Sequence, residues 1–288
     1  MATFVFLHAH PDDEAIGSGG TIAALAAAGH RAVVLLATRG ERGIVPAQLT
    51  DADGLGEMRA GEAHRSAELL GAARLAFLGY RDSGEQPGDP APGSFAAADP
   101  DEAAARVVEL LREEAADALI IYDEHGITGH PDHVQVHVVG MRAAARLPQL
   151  RVYQGTLSES QLAVFVANVA AFIAAAGAPA ADGGGPTLHA SPDASVTTRV
   201  DVRPWSARKR AAMAAHASQI GPESFFLSLS EEDFMEVFGT ESYLDRLAHA
   251  GAPGPLEAAL SSSGLLRSAP MTRPGPTTAG GQLPGALR

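Results

Sequence analysis

The chain has 288 residues, which is enough for one large α/β domain or two smaller ones with a sizeable core. Its formal net charge of −13 argues against a surface for nucleic acid or anionic membrane. It contains no cysteine, so disulfides and a thiol nucleophile are excluded, and a bound metal would need nitrogen and oxygen ligands.

The first forty residues alternate apolar strands with a helix. Strands are predicted over residues 3–7 and 31–37, with a helix over 21–28 between them. This βαβ order predicts an α/β fold, namely a Rossmann-like, mostly parallel sheet with helices on both faces, plus a smaller C-terminal α/β extension. The glycines from Gly17 to Gly20 are expected to let the backbone pass close to a ligand.

The middle of the chain continues this alternation. Its elements are predicted as helices over 57–70, from 99 onward and over 131–146, and strands over 75–78, 118–122 and 152–153. The loop over residues 38–55 carries Glu41. Because it leaves the carboxyl end of the second strand, it should face the cleft at that edge of the sheet.

The C-terminal part has weaker signals. They predict a capping box at Ser158 before a helix over 162–175, an edge strand over 195–202, a helix opened by Pro204 and a helix over 230–238. We expect one domain over residues 1–250, divided into a metal-binding core at 1–150 and a C-terminal part at 151–250 with a flexible insertion at 176–194. A Pro-, Gly- and Ser-rich tail at 251–288 is expected to be largely disordered.

Two polar motifs each follow a predicted strand, His10-Pro-Asp-Asp-Glu14 and Gly129-His-Pro-Asp-His133. Loops at the carboxyl ends of parallel strands gather at one edge, so the two motifs can share a site. Two histidines and a carboxylate form the open three-ligand arrangement of catalytic zinc, and His10, Asp13 and His133 fit it. We therefore predict one Zn²⁺ per chain, although iron or cobalt would accept the same ligands.

The remaining polar residues of the motifs suggest acid and base roles. Asp12 lies beside the predicted ligands and is a candidate base for a water at the metal. His130 is assigned as the acid, with Asp132 holding its ring and favouring the imidazolium. Spacing alone does not secure this assignment, because His137 forms a rival pair with His133 at i,i+4.

The two motifs as they stand resemble those of the LmbE-like (PIG-L) zinc-dependent N-deacetylases, including mycothiol-pathway deacetylases, conjugate amidases and antibiotic-tailoring relatives. Further segments are similar to family patterns, namely Arg59-Ala-Gly-Glu62, Tyr80-Arg-Asp-Ser-Gly84 and Ala215-His-Ala-Ser-Gln219. The resemblance is close over roughly residues 1–160 and looser over 195–250.

The resemblance implies the same roles for the motif residues. It gives metal ligands at His10, Asp13 and His133, a base at Asp12, and an acid or oxyanion group at His130 partnered by Asp132. It also implies that Arg59 and Asp82 contact the sugar, with an ion pair or loop cap as the alternative, and Glu41 is a third substrate-binding candidate. Thr128 departs from members that carry tyrosine there.

These features together predict a metal-dependent amide hydrolase that removes an N-acyl (acetyl) group from an amino sugar or glycoside. The alternatives are a mycothiol-conjugate-type amidase and a non-catalytic metal-binding protein on the same scaffold. We expect a small N-acetylated sugar as substrate, no nucleic-acid or membrane partner, and leave open a homo-oligomer. The start of the chain lacks a signal peptide and no apolar run reaches the roughly 18 residues of a membrane helix, which favours a cytoplasmic location.

Overall fold

Strands of four to six residues, of which β1, β2 and β4 are apolar runs, form a central sheet. A computed structural model describes residues 1–46, 53–84, 90–176, 187–245, 253–266 and 281–282. The sheet consists of β1 (Thr3–His8), β2 (Arg31–Leu36), β3 (Arg74–Phe77), β4 (Ala118–Tyr122), β5 (Arg151–Thr156), β7 (Thr198–Asp201) and β8 (Thr240–Asp245). Two further short strands, β6 (Thr187–Leu188) and β9 (Gly281–Gln282), pair with each other.

The strand order is β3-β2-β1-β4-β5-β8-β7. The first five strands in this order are parallel, and β8 and β7 are antiparallel. The predicted mostly parallel sheet is therefore confirmed, with an antiparallel C-terminal extension at one edge. Since β5 pairs with β4, the sheet includes strands from both the predicted core at 1–150 and the predicted C-terminal part at 151–250.

Helices cover both faces of this sheet, as predicted. They are α1 (Asp13–Ala27), α2 (Asp53–Leu70), α3 (Pro100–Glu113), α4 (Pro131–Ala145), α5 (Glu159–Ala175), α6 (Ser206–Ala215), α7 (Phe225–Ser228), α8 (Glu231–Phe238) and α9 (Pro255–Leu260). Alternate residues of β1 face opposite layers, because successive strand side chains point to opposite sides. Phe4 and Phe6 pack with α1, α2, α5 and α6, whereas Val5 and Leu7 pack with α3 and α4.

Local sequence signals set several helix starts. Asp99 caps α3 by accepting hydrogen bonds from the backbone of its first turn, with Pro100 as the first helical residue. Ser158 and Gln161 form the predicted capping box at α5. None of the helices in the described part of the chain is long and apolar enough to cross a membrane.

The structure differs from the predicted elements in two places. The helix expected from residue 21 begins at Asp13, so Gly17 to Gly20 lie inside α1 rather than in a loop. A Cβ on Gly20 would lie 2.3 Å from Cβ of Val202, so this glycine allows α1 to pack closely against the chain there. Strand β8 was not predicted, because its sequence Thr-Glu-Ser-Tyr-Leu-Asp lacks an apolar run.

Some predicted segments lie partly outside the described residues. The insertion at 176–194 is described from residue 187, where the His189 and Ser191 amides donate to backbone oxygens of Ile127 and Leu157. The tail at 251–288 is described at 253–266, which includes α9, and at 281–282. Flexibility of the insertion and disorder of the tail remain predictions.

Candidate active site

The first motif connects β1 to α1 through a strained turn. Asp12 has a φ of 108°, a conformation that costs a non-glycine residue about 1–3 kcal/mol and persists only where neighbours enforce it. The turn returns Asp13 toward His10, whose backbone amide donates to Asp13 Oδ2 at 2.8 Å. His10 and Asp13 therefore lie on one side of the turn.

The second motif forms the N-terminus of α4. His130 caps the helix, because its Nδ1 accepts a 3.1 Å hydrogen bond from the backbone amide of Asp132. Pro131 is the first helical residue, so Asp132 and His133 both lie in the first turn and are buried. The sequence of this motif therefore places Asp132 and His133, two polar residues of one helical turn, in the protein interior.

The predicted metal ligands meet between the two motifs. Asp13 Oδ2 lies 3.5 Å from His10 Nδ1 and 3.4 Å from His133 Nε2. Ligands around a tetrahedral zinc with bonds of about 2.1 Å are about 3.4 Å apart, so both distances from Asp13 Oδ2 match the spacing of ligands on a single ion. His133 Nδ1 is 3.1 Å from the carbonyl oxygen of Gly126, which leaves Nε2 with a free lone pair.

Among the described residues, two groups of three side chains bring all their candidate ligand atoms within 4.8 Å of one another, and neither includes Asp13. They are His10 with His130 and His133, and His10 with Asp82 and Asp132. In the first group His130 would replace Asp13 as a ligand. The described residues therefore offer more donors than one three-ligand site needs.

The Asp132 carboxylate contacts a different histidine from the one expected. Its Oδ2 accepts from His10 Nε2 at 3.1 Å and from the backbone amide of Ser83 at 2.9 Å, and its Oδ1 accepts from the amide of Ala96 at 2.8 Å. The expectation that Asp132 holds the His130 ring is met by its backbone amide, but its carboxylate is directed at the His10 ring and does not favour an imidazolium at His130 by a direct bond. The carboxylate fixes the orientation of a predicted metal ligand.

The charge balance of the site favours a cation. Burial alone would lower the pKa of His10. Carboxylates around the ring outweigh burial and raise that pKa well above the ordinary value: Asp13, Asp132 and Asp82. Burial would also raise the pKa of Asp13, but His133 and His10 hold it well below its usual range. Buried carboxylates need a compensating positive charge, and a divalent ion bound to these donors would supply it.

Asp12 is not among the predicted metal ligands and pairs with an arginine beside them. Its side chain is 18% exposed. Burial raises its pKa to about 6, although Arg59 opposes this rise. Arg59 itself is only 4% exposed and donates to Asp12 Oδ2 at 3.2 Å, Pro11 O at 2.6 Å and Gly40 O at 2.7 Å. Arg59 thus forms the ion pair that was the alternative to a sugar contact.

His130 is held as a neutral imidazole. Burial lowers its pKa to about 4, and the neighbouring rings of His10 and His133 add to this effect. Since its Nδ1 accepts from a backbone amide, the neutral ring carries its proton on Nε2. The structure therefore favours a neutral hydrogen-bond donor over the imidazolium expected from the sequence.

Comparison with known proteins identifies the family. Residues 5–144 match the family described as PIG-L, GlcNAc-PI de-N-acetylase. A 1D-myo-inositol 2-acetamido-2-deoxy-alpha-D-glucopyranoside deacetylase of Geodermatophilus obscurus is 39% identical over 264 residues, covering 83% of this chain and 90% of that protein. The chain belongs to the PIG-L family. De-N-acetylation is amide hydrolysis, so membership confirms the predicted enzyme class.

Solved structures share the fold of this PIG-L chain. N,N'-diacetylchitobiose deacetylase from Pyrococcus horikoshii has a TM-score of 0.56 and 23% identity, and the match covers 84% of this chain and 82% of that one. The 4-carboxy-2-hydroxymuconate hydratase from Pseudomonas putida has a TM-score of 0.57 and 16% identity, with coverage of 88% and 99%. Because the two names describe different reactions, the fold alone does not select the chemistry.

The other predicted substrate residues of this PIG-L chain organise loops. Asp82 is 4% exposed, and its carboxylate accepts from the backbone amides of Arg42 and Gly84. Its Oδ1 also lies 3.5 Å from His10 Nε2. Glu41 Oε1 accepts from the amide of Asp82 at 3.0 Å. These contacts support a loop-capping role for Asp82, while a sugar contact by Glu41 remains a prediction.

Sequence reasoning missed a buried network behind Asp12. Glu14 Oε2 accepts from the Asp12 amide at 3.1 Å, and its Oε1 accepts from His216 Nε2 at 2.7 Å and Ser66 Oγ at 2.6 Å. Glu14 and His216 are fully buried. The network holds the backbone of the strained Asp12. Its signals were Glu14 in the first motif and His216 in the family-like segment Ala215–Gln219.

The rival histidine lies apart from this network and from the ligands. His137 lies on α4, and its Nδ1 is 3.1 Å from the carbonyl oxygen of Tyr122 at the end of β4. Its side chain is half-buried. Thr128, where some relatives have tyrosine, places Oγ1 3.5 Å from His133 Nδ1. His137 therefore has a structural contact, and Thr128 adjoins a predicted ligand.

Proposed function

We propose that the chain is a zinc-dependent deacetylase that removes the N-acyl group, with acetyl as the reference case, from an amino sugar glycoside such as a GlcNAc-containing metabolite. The observation that carries the proposal is the convergence of His10 Nδ1, Asp13 Oδ2 and His133 Nε2. The neighbouring carboxylate of Asp12, which is not a predicted ligand and is held by Arg59, supports hydrolysis. The names of the relatives support an acetylated glucosamine glycoside as the substrate class.

The side chains around the ligands have distinct roles in amide hydrolysis. Zinc, when bound, would lower the pKa of a water to roughly 7 and polarise the amide carbonyl. Asp12 accepts one proton as water attacks the carbonyl carbon, and His130 donates a hydrogen bond from Nε2 to the oxygen that becomes negative. When the C–N bond breaks, Asp12 returns its proton to the departing amine. The products are a carboxylate and an amino sugar.

The proposal is tested first on substrate and metal. The purified protein is stripped with a chelator, reloaded with zinc, iron or cobalt, and assayed on 1D-myo-inositol 2-acetamido-2-deoxy-alpha-D-glucopyranoside for acetate and free amine. We expect zinc to restore release. Absence of product from this and a panel of other N-acetylated sugars would favour the non-catalytic metal-binding protein. Faster cleavage of a mycothiol conjugate would favour the amidase.

Two substitutions separate the base from the ligands. Asp12→Asn should keep the metal but lower turnover about 10²- to 10⁴-fold, because a general base is removed. His10→Ala should lose both metal and turnover. Asp101→Asn is the matched control, since Asp101 is exposed on α3, and it should change neither. Undiminished zinc-dependent hydrolysis in Asp12→Asn would show that Asp12 is not the base.

A further inference from the structure

A cavity of about 270 Å³ extends from the candidate active site into the C-terminal half of the protein. Asp13 and His133 form part of its wall, so the cavity is continuous with the predicted ligands. Most of the remaining wall is apolar, and it comes from α1, from strands of the sheet, and from the C-terminal helices α5, α7 and α8 with their loops. The main apolar side chains are Ile127, Leu157, Phe165, Phe226, Val237 and Phe238.

Several polar groups in the wall are engaged with protein partners, whereas Nε2 of the buried His8 has none among the described residues. Gln161 Nε2 donates to Thr240 O at 2.8 Å, and Ser242 Oγ donates to Gln161 Oε1 at 2.6 Å. The buried Lys209 pairs with Glu241 at 2.6 Å. Because these groups are engaged inside the wall, the cavity presents mainly carbon atoms to a ligand.

The opposite side of the site is polar. The His10 ring separates the two sides, since its Nδ1 faces Asp13 at the cavity and its Nε2 faces Asp82. Beyond Asp82 lie Glu41 and the exposed Arg42, in the loop after β2. Sugar hydroxyls need polar partners, whereas an alkyl group gains from an apolar wall. A substrate whose amide lies at the predicted metal ligands would therefore place its sugar toward the loops and its acyl group toward the cavity.

The volume of the cavity exceeds the needs of an acetyl group. An engineered cavity of about 150 Å³ binds benzene, a ring of six carbons. We propose that the cavity binds the acyl chain of the substrate, and that the enzyme prefers N-acyl amino sugars with chains of about four to eight carbons over N-acetyl ones. This inference rests on the proposed function, because it requires an amide to be hydrolysed at the adjoining ligands.

A series of amides tests the proposal. One glucosamine glycoside carries acetyl, butanoyl, hexanoyl or octanoyl groups on nitrogen, and kcat/KM is measured from released amine with the zinc-loaded enzyme. Each additional methylene that is buried in the cavity raises kcat/KM at most about fourfold, which corresponds to about 0.8 kcal/mol. We expect hexanoyl to exceed acetyl by at least about tenfold. A parallel series of N-acetyl glycosides with alkyl aglycones of the same lengths should show little change.

Two substitutions at one wall position report directly on the cavity. Val237 lies on α8 and lines the cavity without belonging to the catalytic groups. Val237→Phe should shift the preferred acyl length downward, and Val237→Ala should leave it unchanged or shift it upward. Both variants should retain acetyl hydrolysis, which shows that they fold.

The outcomes distinguish the inference from the proposed function. Hydrolysis of the acetyl amide without any gain on longer chains would overturn the inference and leave the proposed function intact. A gain that follows aglycone length instead would also overturn it, because the cavity would then hold the other end of the substrate. Failure to hydrolyse every amide in both series would overturn the proposed function, and the inference with it.

Discussion

Replacing Arg59 with methionine tests whether this residue positions the base or contacts the sugar. The buried guanidinium donates to Asp12 Oδ2 and to the carbonyl oxygens of Pro11 and Gly40. Methionine keeps most of the apolar stem and removes all three hydrogen bonds. Asp12 would lose the group that fixes its carboxylate, although every predicted metal ligand would remain.

The expected magnitude follows from these contacts. A hydrogen bond to a charged group contributes about 1.5–3 kcal/mol. If that free energy holds Asp12 in its reactive position, its loss lowers kcat about 10- to 150-fold, since about 1.4 kcal/mol corresponds to a tenfold change in rate. KM should change little, because no sugar contact is removed. The free energy of unfolding should also fall by about 3–5 kcal/mol, as for other broken buried ion pairs.

The assay is steady-state amine release from the acetylated glycoside, with urea unfolding in parallel. Arg65→Met is the matched control, because Arg65 lies exposed on the same helix, and it should leave kcat, KM and stability unchanged. Arg59→Lys should retain only part of the activity. Lysine keeps the positive charge, but one ammonium group cannot reproduce the three hydrogen bonds of the planar guanidinium. A tenfold or greater rise in KM with unchanged kcat would refute this reasoning and would indicate that Arg59 contacts the sugar.

Substitutions at two further positions test a buried and a partly exposed ion pair by urea unfolding. His216→Ala leaves the Glu14 carboxylate buried without its partner and should cost about 3–5 kcal/mol, whereas His216→Gln, which can keep the hydrogen bond, should cost less; equal costs would contradict this account. Arg31 and Arg74 lower the pKa of Glu114, so its carboxylate stabilises the fold above its ordinary pKa, and that contribution is lost as the pH falls. The stability difference between wild type and Glu114→Gln should therefore shrink from about pH 7 to about pH 3, and a constant difference would exclude this role for the carboxylate.

The sequence predicts those parts of the fold that depend on local patterns. Strand β4 and the caps at Asp99 and Ser158 follow from an apolar run and from side chains that bond their own helix. Strand β8 escaped prediction because its polar residues are satisfied by partners far along the chain. Glu241, for example, accepts from the amides of Gly20 and Thr21. Such long-range pairing leaves no signal in a short window of sequence.

The same distinction applies to the site. The two motifs predict that Asp13 and His133 meet, because both follow parallel strands of one sheet. They do not predict that Asp132 bonds to His10 or that Arg59 bonds to Asp12, since these contacts depend on side-chain directions fixed only after packing. Residue types and spacing therefore identify the chemistry, while the partners of each group require the folded structure.

The metal content of two variants tests the central claim most directly. In the proposed site Asp13 is a ligand and His130 is not, although His130 lies close enough to replace it. After zinc loading and dialysis, wild type and His130→Ala should retain one zinc per chain, and Asp13→Ala should retain almost none. Loss of zinc from His130→Ala with retention in Asp13→Ala would contradict the assignment of the metal to His10, Asp13 and His133.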